Sequence, residues 1–400
     1  MKNTKRNKYK RRNLRQTKRR NKREKNKVLV LKNRTPRNTL RLSKAVSHDI
    51  DDNTVARGKK LISYAPSINQ NLVSLKSMPR TELVNCNTES AFQLNTPLQI
   101  AVPGSFFGRT CIPYDSPDAR KFLLKNLQAN KHIDAKKVIP PIQQQSNCWF
   151  NAMFVTLFIS DKGRKFFHYF RQLMIEGKQS NGKQIPKGLR DAFALLNFAV
   201  ESSLTGSRYA YKMDTNSVIK KIYDVIPDEY HKKSQYLVEV DKASNPIKYY
   251  NSIINYLGNN SLELLLVPDV TNTSNWRKQI ASEIKGRRKP PHVIILEIYD
   301  KSSSELADKP TRFSVNNITY ALDSSVVRDI EKQHFCATLT CEGKEMGYDG
   351  MSFHRLVPMK WKDKINKPLK WEFQGSNNLD GTPLEWSYRS SYHLLIYYRV

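Results

Sequence analysis

Residues Gln143 to Ala152 read QQQSNCWFNA, and the apolar run that opens at Cys148 continues as CWFNAMFVTLFIS to Ser160. A stretch that is apolar nearly all round predicts a helix buried on most faces, with Asn147 a competent N-cap. The thiol of Cys148 then stands at the positive end of that helix, beside backbone N–H groups that lack intrahelical partners. Both features favour thiolate. The ordinary alternative is a buried cysteine serving as a small hydrophobe.

A second stretch, His334 to Gly350, reads HFCATLTCEGKEMGYDG. His334 opens a strand-like segment and can aim its ring across a cleft, although His168, His354 and His393 compete for the role of base. Asp349 falls where the next antiparallel strand would return beside that ring. A carboxylate there would fix the imidazole tautomer and stabilise imidazolium. As a residue before Gly350 it could equally be a turn former. The side-chain amides of Gln143, Gln144 and Gln145 precede Cys148, and each could donate to an oxyanion formed on thiolate attack.

Outward from these two stretches, the chain changes period. KFFHYFRQLM, LRDAFALLNFAVESSL, NSVIKKIYDVI and PIKYYNSIINYLG read as amphipathic helices, with Gly163 interrupting after the cysteine helix. HVIILEIYD, ITYALDSSVV, HFCATLTC, MGYDG and SYHLLIYYRV are rich in branched and aromatic residues and read as strands. Helices first and strands later predict an α+β fold, with Cys148 on a helical lobe and His334 on an antiparallel sheet lobe facing it. A catalytic domain is expected over residues 138–400. Residues 46–137 are expected to be an extension draped over the core, with a helix through DARKFLLKNLQ opened by Ser116 and Pro117.

The 400 residues carry a net charge of +32 with 39% hydrophobic content, enough for at least one sizeable core. The first 27 hold fifteen Lys or Arg against the single acid Glu24. Residues 1–45 are therefore expected to be a disordered basic tail that binds nucleic acid or another polyanion, or that serves as a solubilising arm. VLVL at Val28 to Leu31 is too short for a signal-peptide core, and no run approaches the roughly 18 apolar residues of a membrane span. Five cysteines, an odd number without a CxxC pair, predict reduced thiols in an intracellular compartment, no structural zinc and no cofactor. Cytoplasm or nucleus follows as the expected location, or a virion if the source is a large DNA virus.

The two stretches together resemble the ubiquitin-specific proteases, a papain-like family of deubiquitinating cysteine peptidases. QQQSNCWFNA is similar to their cysteine box, with Cys148 as nucleophile, Gln143 at the place of the oxyanion residue and Asn151 matching a later Asn. PPHVIILEIY, YALDSSVV, QHFCATLT, MGYDG and SYHLLIYYR follow in the family's order, with His334 and Asp349 at the base and acid positions. The resemblance spans residues 138–400. It implies a papain-like fold and hydrolysis of the bond after the C-terminus of ubiquitin or a ubiquitin-like modifier. The chain departs from the pattern at Gln333, where the family has glycine; SNPIKYY is the only counterpart of a conserved helix box; and the zinc-bearing fingers are missing. QSNCWFNA is also similar to the cysteine box of the ovarian-tumour deubiquitinases, which lack the later succession of segments. Two other readings stay open: a cysteine peptidase processing a restricted set of non-ubiquitin proteins, and an inert scaffold that binds a modifier or nucleic acid.

Overall fold

A computed structural model describes residues 81–400, apart from residues 88–90, 94–95, 105–107, 130–131, 258–263, 268–269, 271–272, 286–289 and 301–308. The basic tail expected over residues 1–45 lies outside the described residues. A two-stranded antiparallel sheet, β1 (Gln99–Pro103) and β2 (Arg109–Pro113), comes first. The helices follow: α1 (Pro117–Ala129), α2 (Cys148–Phe158), α3 (Asp161–Phe166), α4 (His168–Glu176), α5 (Lys187–Thr205), α6 (Thr215–Val225), α7 (Asp228–Lys233) and α8 (Pro246–Tyr256). Then come β3 (Leu264–Val267), α9 (Thr273–Lys285), β4 (Val293–Ile298), β5 (Arg312–Val315), β6 (Ile318–Arg328), β7 (Phe335–Cys341), β8 (Lys344–Tyr348), β9 (Leu356–Pro358) and β10 (His393–Arg399).

Seven of these strands run in the order β3-β4-β10-β6-β7-β8-β9, with β5 pairing onto β6. All pairs are antiparallel except β3 and β4, which run parallel, so the expected antiparallel lobe is corrected at that edge. The crossover through α9 is what permits it, since parallel neighbours need a long connection. The strand β10 reads as a nearly continuous apolar run because both of its faces are covered. Leu394, Ile396 and Tyr398 pack into one core with the helices, whereas Leu395 and Tyr397 alternate into a second core. That second core holds Trp276 and Ile280 of α9 together with Trp361, Trp371 and Trp386 from the segments after β9.

Every residue of α2 is buried, as its all-round apolar sequence demands. Tyr249 and Tyr250 of α8 lock it in place, with ring centres 4.8 Å from Trp149 and 5.2 Å from Phe150. The helix ends at Ile159 and Ser160 rather than at Gly163. Ser160 caps α3 by accepting from the Gly163 N–H, and a Cβ on Gly163 would come within 2.2 Å of the Thr156 carbonyl oxygen. Glycine stands there for close helix approach, not to break a helix.

Residues 81–137 share the helical core: Leu83, Phe92, Ile100, Leu123 and Leu127 belong to the same hydrophobic cluster as α2 and α5. The expectation of five reduced thiols is corrected here. Cys86 and Cys111 form a disulfide, because the segment around Asn85 and the strand β2 both run along β1 and bring the two residues together. Their separation of 25 residues gave no sign of this. Among the described residues, no helix is long and apolar enough to cross a membrane.

A buried ionic node joins α1, α4 and α5. Glu201 accepts from Arg171 Nη2 through one oxygen and from Asn126 Nδ2 at 2.7 Å through the other, while Arg171 also donates to Asn197. Removing one partner leaves an uncompensated buried charge, a loss of about 3–5 kcal/mol. Glu201→Leu is expected to lower stability by that amount in urea-unfolding measurements. A change under about 1 kcal/mol would mean that the guanidinium finds water or another partner.

Candidate active site

The segment 140–147 passes between the helices and the sheet, and contacts from both sides fix it. Tyr348 Oη donates to the Pro141 carbonyl at 2.8 Å, Arg355 Nη1 to the Pro140 carbonyl at 2.6 Å, and Gln143 N–H to the Gly350 carbonyl at 2.9 Å. A Cβ on Gly350 would lie 2.8 Å from that Gln143 nitrogen, so the close passage explains the glycine after Asp349.

Asn147 occupies the N-cap position of α2 without making a side-chain cap, which corrects that expectation. Its side chain is taken up by a closed set of hydrogen bonds: Nδ2 donates to Thr215 Oγ1 at 2.8 Å, Thr215 Oγ1 donates to Asn151 Oδ1 at 2.8 Å, and Asn151 Nδ2 donates back to Asn147 Oδ1 at 3.1 Å. Asn151 also donates to the Ile142 carbonyl at 3.1 Å, and Gln144 N–H donates to Asn147 Oδ1 at 3.1 Å. The loop is thereby tied to the helix, and Asn147 leaves the N–H groups of the first turn uncapped beside the Cys148 sulfur. That is the donor array an anion requires.

Cys148 is 8% exposed and lines a cleft of about 630 Å3. Trp149, Tyr236 and Asn245 from the helical part and Tyr299, Phe335 and Tyr392 from the sheet part line it. Asn245 ties the two parts together: it donates to Glu297 Oε1 at 2.9 Å and to Tyr392 Oη at 3.1 Å, while its own Oδ1 caps α8. Lys332, in the left-handed region at φ 68°, and Gln333 stand on the rim.

His334 immediately precedes β7, and Asp349 immediately follows β8, so the β7–β8 hairpin brings the two together. His334 Nε2 meets Asp349 Oδ1 at 2.5 Å. The Cys148 sulfur is near enough to this ring to influence its protonation. Burial pulls the imidazole down, but the hydrogen bonds to Asp349 and Cys148 outweigh it and raise the pKa to about 10. At neutral pH the ring is held as imidazolium, the charge partner a thiolate needs.

Several supporting residues were not legible in the sequence. Ser376 Oγ donates to Asp349 Oδ2 from a buried position 27 residues downstream, and the Met351 N–H donates to Oδ1 at 3.3 Å. Trp386 packs edge-on to the His334 ring at 5.9 Å. Asp329, buried, accepts from the N–H groups of Glu331 at 2.9 Å, Gln333 at 2.6 Å and His334 at 2.5 Å, and so shapes the turn that delivers the histidine. An aspartate five residues before a candidate base is an Asx-turn signal that could have been noticed. Nothing in the sequence distinguishes Ser376 from other loop serines.

Gln143 lines the cleft beside Cys148, but its Nε2 donates to the Gln145 carbonyl at 2.6 Å, within its own loop. Gln145 holds the left-handed conformation at φ 54°, and its side chain, like the Gln144 carbonyl, accepts from Asn216 Nδ2. The rival histidines fall elsewhere: His168 is buried in α4, His354 is exposed, and His393 is buried in β10. Burial and the nearby Lys309 hold His393 neutral, well below the usual histidine range.

The remaining described thiols are poor nucleophiles. Burial pushes Cys341 up to about 12 and Cys336 well above the usual range. With Cys86 and Cys111 joined, iodoacetamide at mildly acidic pH and without reductant is expected to alkylate Cys148 alone. Peptide mass mapping reads this directly; a label on Cys336 or Cys341 at a comparable rate would remove the distinction.

No protein-family model and no curated protein matches the chain. Among solved structures it is similar to the SAGA Ubp8/Sgf11/Sus1/Sgf73 DUB module bound to ubiquitin aldehyde, at TM-score 0.40 and 12% identity over 66% of this chain and 70% of that one. It is similar to the Ubp8-Sgf11-Sgf73-Sus1 SAGA DUB module at TM-score 0.37 and 12% identity, over 66% and 68%. An essential yeast splicing factor aligns at TM-score 0.35 and 10% identity, over 76% and 83%.

Proposed function

We propose that this protein is a thiol-dependent peptidase of the deubiquitinase type, cleaving the peptide or isopeptide bond that follows the C-terminus of ubiquitin or a ubiquitin-like modifier. The observation that carries the reading is the Cys148 thiol on an open cleft, within interaction range of the His334 ring that Asp349 holds at 2.5 Å. In the proposed cycle the Cys148 thiolate attacks the carbonyl carbon, and His334 gives its proton to the departing amine. Water then adds to the acyl-enzyme with His334 as base, releasing the acid and restoring the thiol. Asp349 holds the ring through Nε2, and in this cycle Nδ1 is the nitrogen that addresses sulfur. The uncapped N–H groups at the start of α2 stabilise the oxyanion, and Gln143 joins them once its amide leaves the Gln145 carbonyl.

The choice of a modifier as substrate is supported by the order of the sequence segments that resemble the ubiquitin-specific proteases, from the cysteine box to SYHLLIYYR. The test is incubation with ubiquitin carrying a C-terminal electrophile, the expected result being one ubiquitin joined covalently per chain at Cys148. Failure to form that adduct, with alkylation of Cys148 retained, would leave the thiol chemistry standing and overturn the ubiquitin reading in favour of a narrower peptidase.

A further inference from the structure

Beside the catalytic cleft lies a second hollow of about 460 Å3, between α7 and the outer face of α8. We propose that it binds a small ligand carrying two or more phosphoryl groups. Lys232 and Lys233 approach from α7 and Lys248 from α8, and no carboxylate lines the hollow. Among the described residues none of these three lysines forms an ion pair. Lysine at the last turn of α7 complements the helix dipole, which accounts for Lys232 and Lys233 taken alone. It does not account for Lys248 on another helix, whose charge partial burial opposes and the buried Glu297 and the Tyr236 hydroxyl favour without closing an ion pair. Lys248, Asn251 and Asn255 recur at the spacing of one helical face, so α8 presents a stripe of donors to the hollow while Ile247, Tyr250 and Ile254 face the core.

Lys248 is also held in position, its Nζ 5.1 Å from the centre of the Tyr236 ring. Ammonium groups bind phosphate as point charges, and neutral amides and hydroxyls complete the contacts without repelling it. The volume lies within the roughly 300–1,000 Å3 of small-molecule sites. Gln235 and Tyr236 line both this hollow and the cleft of Cys148, so a bound phosphate would sit against the wall of the active site.

A chain of net charge +32 attracts any polyanion, so the test must separate place from charge. The full-length protein is titrated calorimetrically with inorganic triphosphate at physiological ionic strength. One saturable site is expected. Replacing Lys232, Lys233 and Lys248 together with Gln should weaken binding at least about tenfold. The same loss of charge at the exposed Lys344, Lys360 and Lys367 should leave it unchanged. Asn251→Ala, which keeps every charge, should weaken it by a smaller factor. Equal losses in the two triple variants, no saturable site, or tighter binding of an oligo-aspartate peptide than of triphosphate would overturn the proposal. None of these readouts depends on Cys148.

Discussion

Cys148→Ala is expected to abolish hydrolysis of a ubiquitin C-terminal amide, lowering kcat/KM by on the order of 10^4 to 10^6. The size of the loss follows from the proposed role: without the thiol as nucleophile no acyl-enzyme would form, and the uncapped helix N-terminus would have no thiolate to assist. His334→Ala should cost nearly as much, and the double variant little more, because residues acting as one unit lose the whole rate when any member goes. Cys148 is buried in α2, so the comparison needs a folding control. Equal melting midpoints within a few degrees would place the loss in chemistry. If Cys148→Ala keeps more than about one hundredth of the rate, the thiol is not the nucleophile. If the rates of the two single variants multiply in the double, the two residues do not act together.

Asp349→Asn should lower kcat/KM by about 10^2 to 10^4 and move its basic limb toward neutral pH. In the wild-type protein the imidazolium persists until about pH 10, because Asp349 and Cys148 outweigh the effect of burial. In the proposed cycle the ring above that pH has no proton to give the leaving amine, so activity should fall. An amide in place of the carboxylate removes much of the charge holding the proton, and the fall should come earlier. The same shift has a stability counterpart. His334 has a higher pKa in the folded chain than the usual 6.5, so its contribution to stability is complete below about pH 6.5 and is lost as pH rises through about 10. Asp349→Asn should flatten that part of the stability profile. Ser376 holds the second carboxylate oxygen, so it is a positioning residue for the same ring. A pH-rate profile of the Asn variant that overlays the wild type would show that Asp349 does not set the state of His334.

The cysteine helix and the strands could be read from the chain because burial on all faces and burial on both faces of a sheet leave a direct mark on residue type. CWFNAMFVTLF and HLLIYYR could each be placed only in an interior. The Asp349 reading was available for a related reason: fifteen residues separate it from His334, and one tight hairpin spans that interval. Asn147 shows where local reading stopped. Its type and position predict a cap, but Thr215, 68 residues away, offers the amide a competing partner, and the helix start is left open. The Cys86–Cys111 bond, the parallel edge strand β3 and the hold of Ser376 on Asp349 depend likewise on neighbours far along the chain.

By itself, then, the sequence determined a buried helix headed by a cysteine, a later sheet carrying a histidine and an aspartate, and the order in which they occur. Periodicity and side-chain chemistry are local properties, and they survive without coordinates. Only the tertiary structure decided that His334 meets Asp349 and comes within range of Cys148, that Gln143 turns its amide into its own loop, and that Lys232, Lys233 and Lys248 line a second hollow beside the cleft. The first of these joins segments far apart in the chain, and such contacts are set by packing rather than by any spacing a sequence displays.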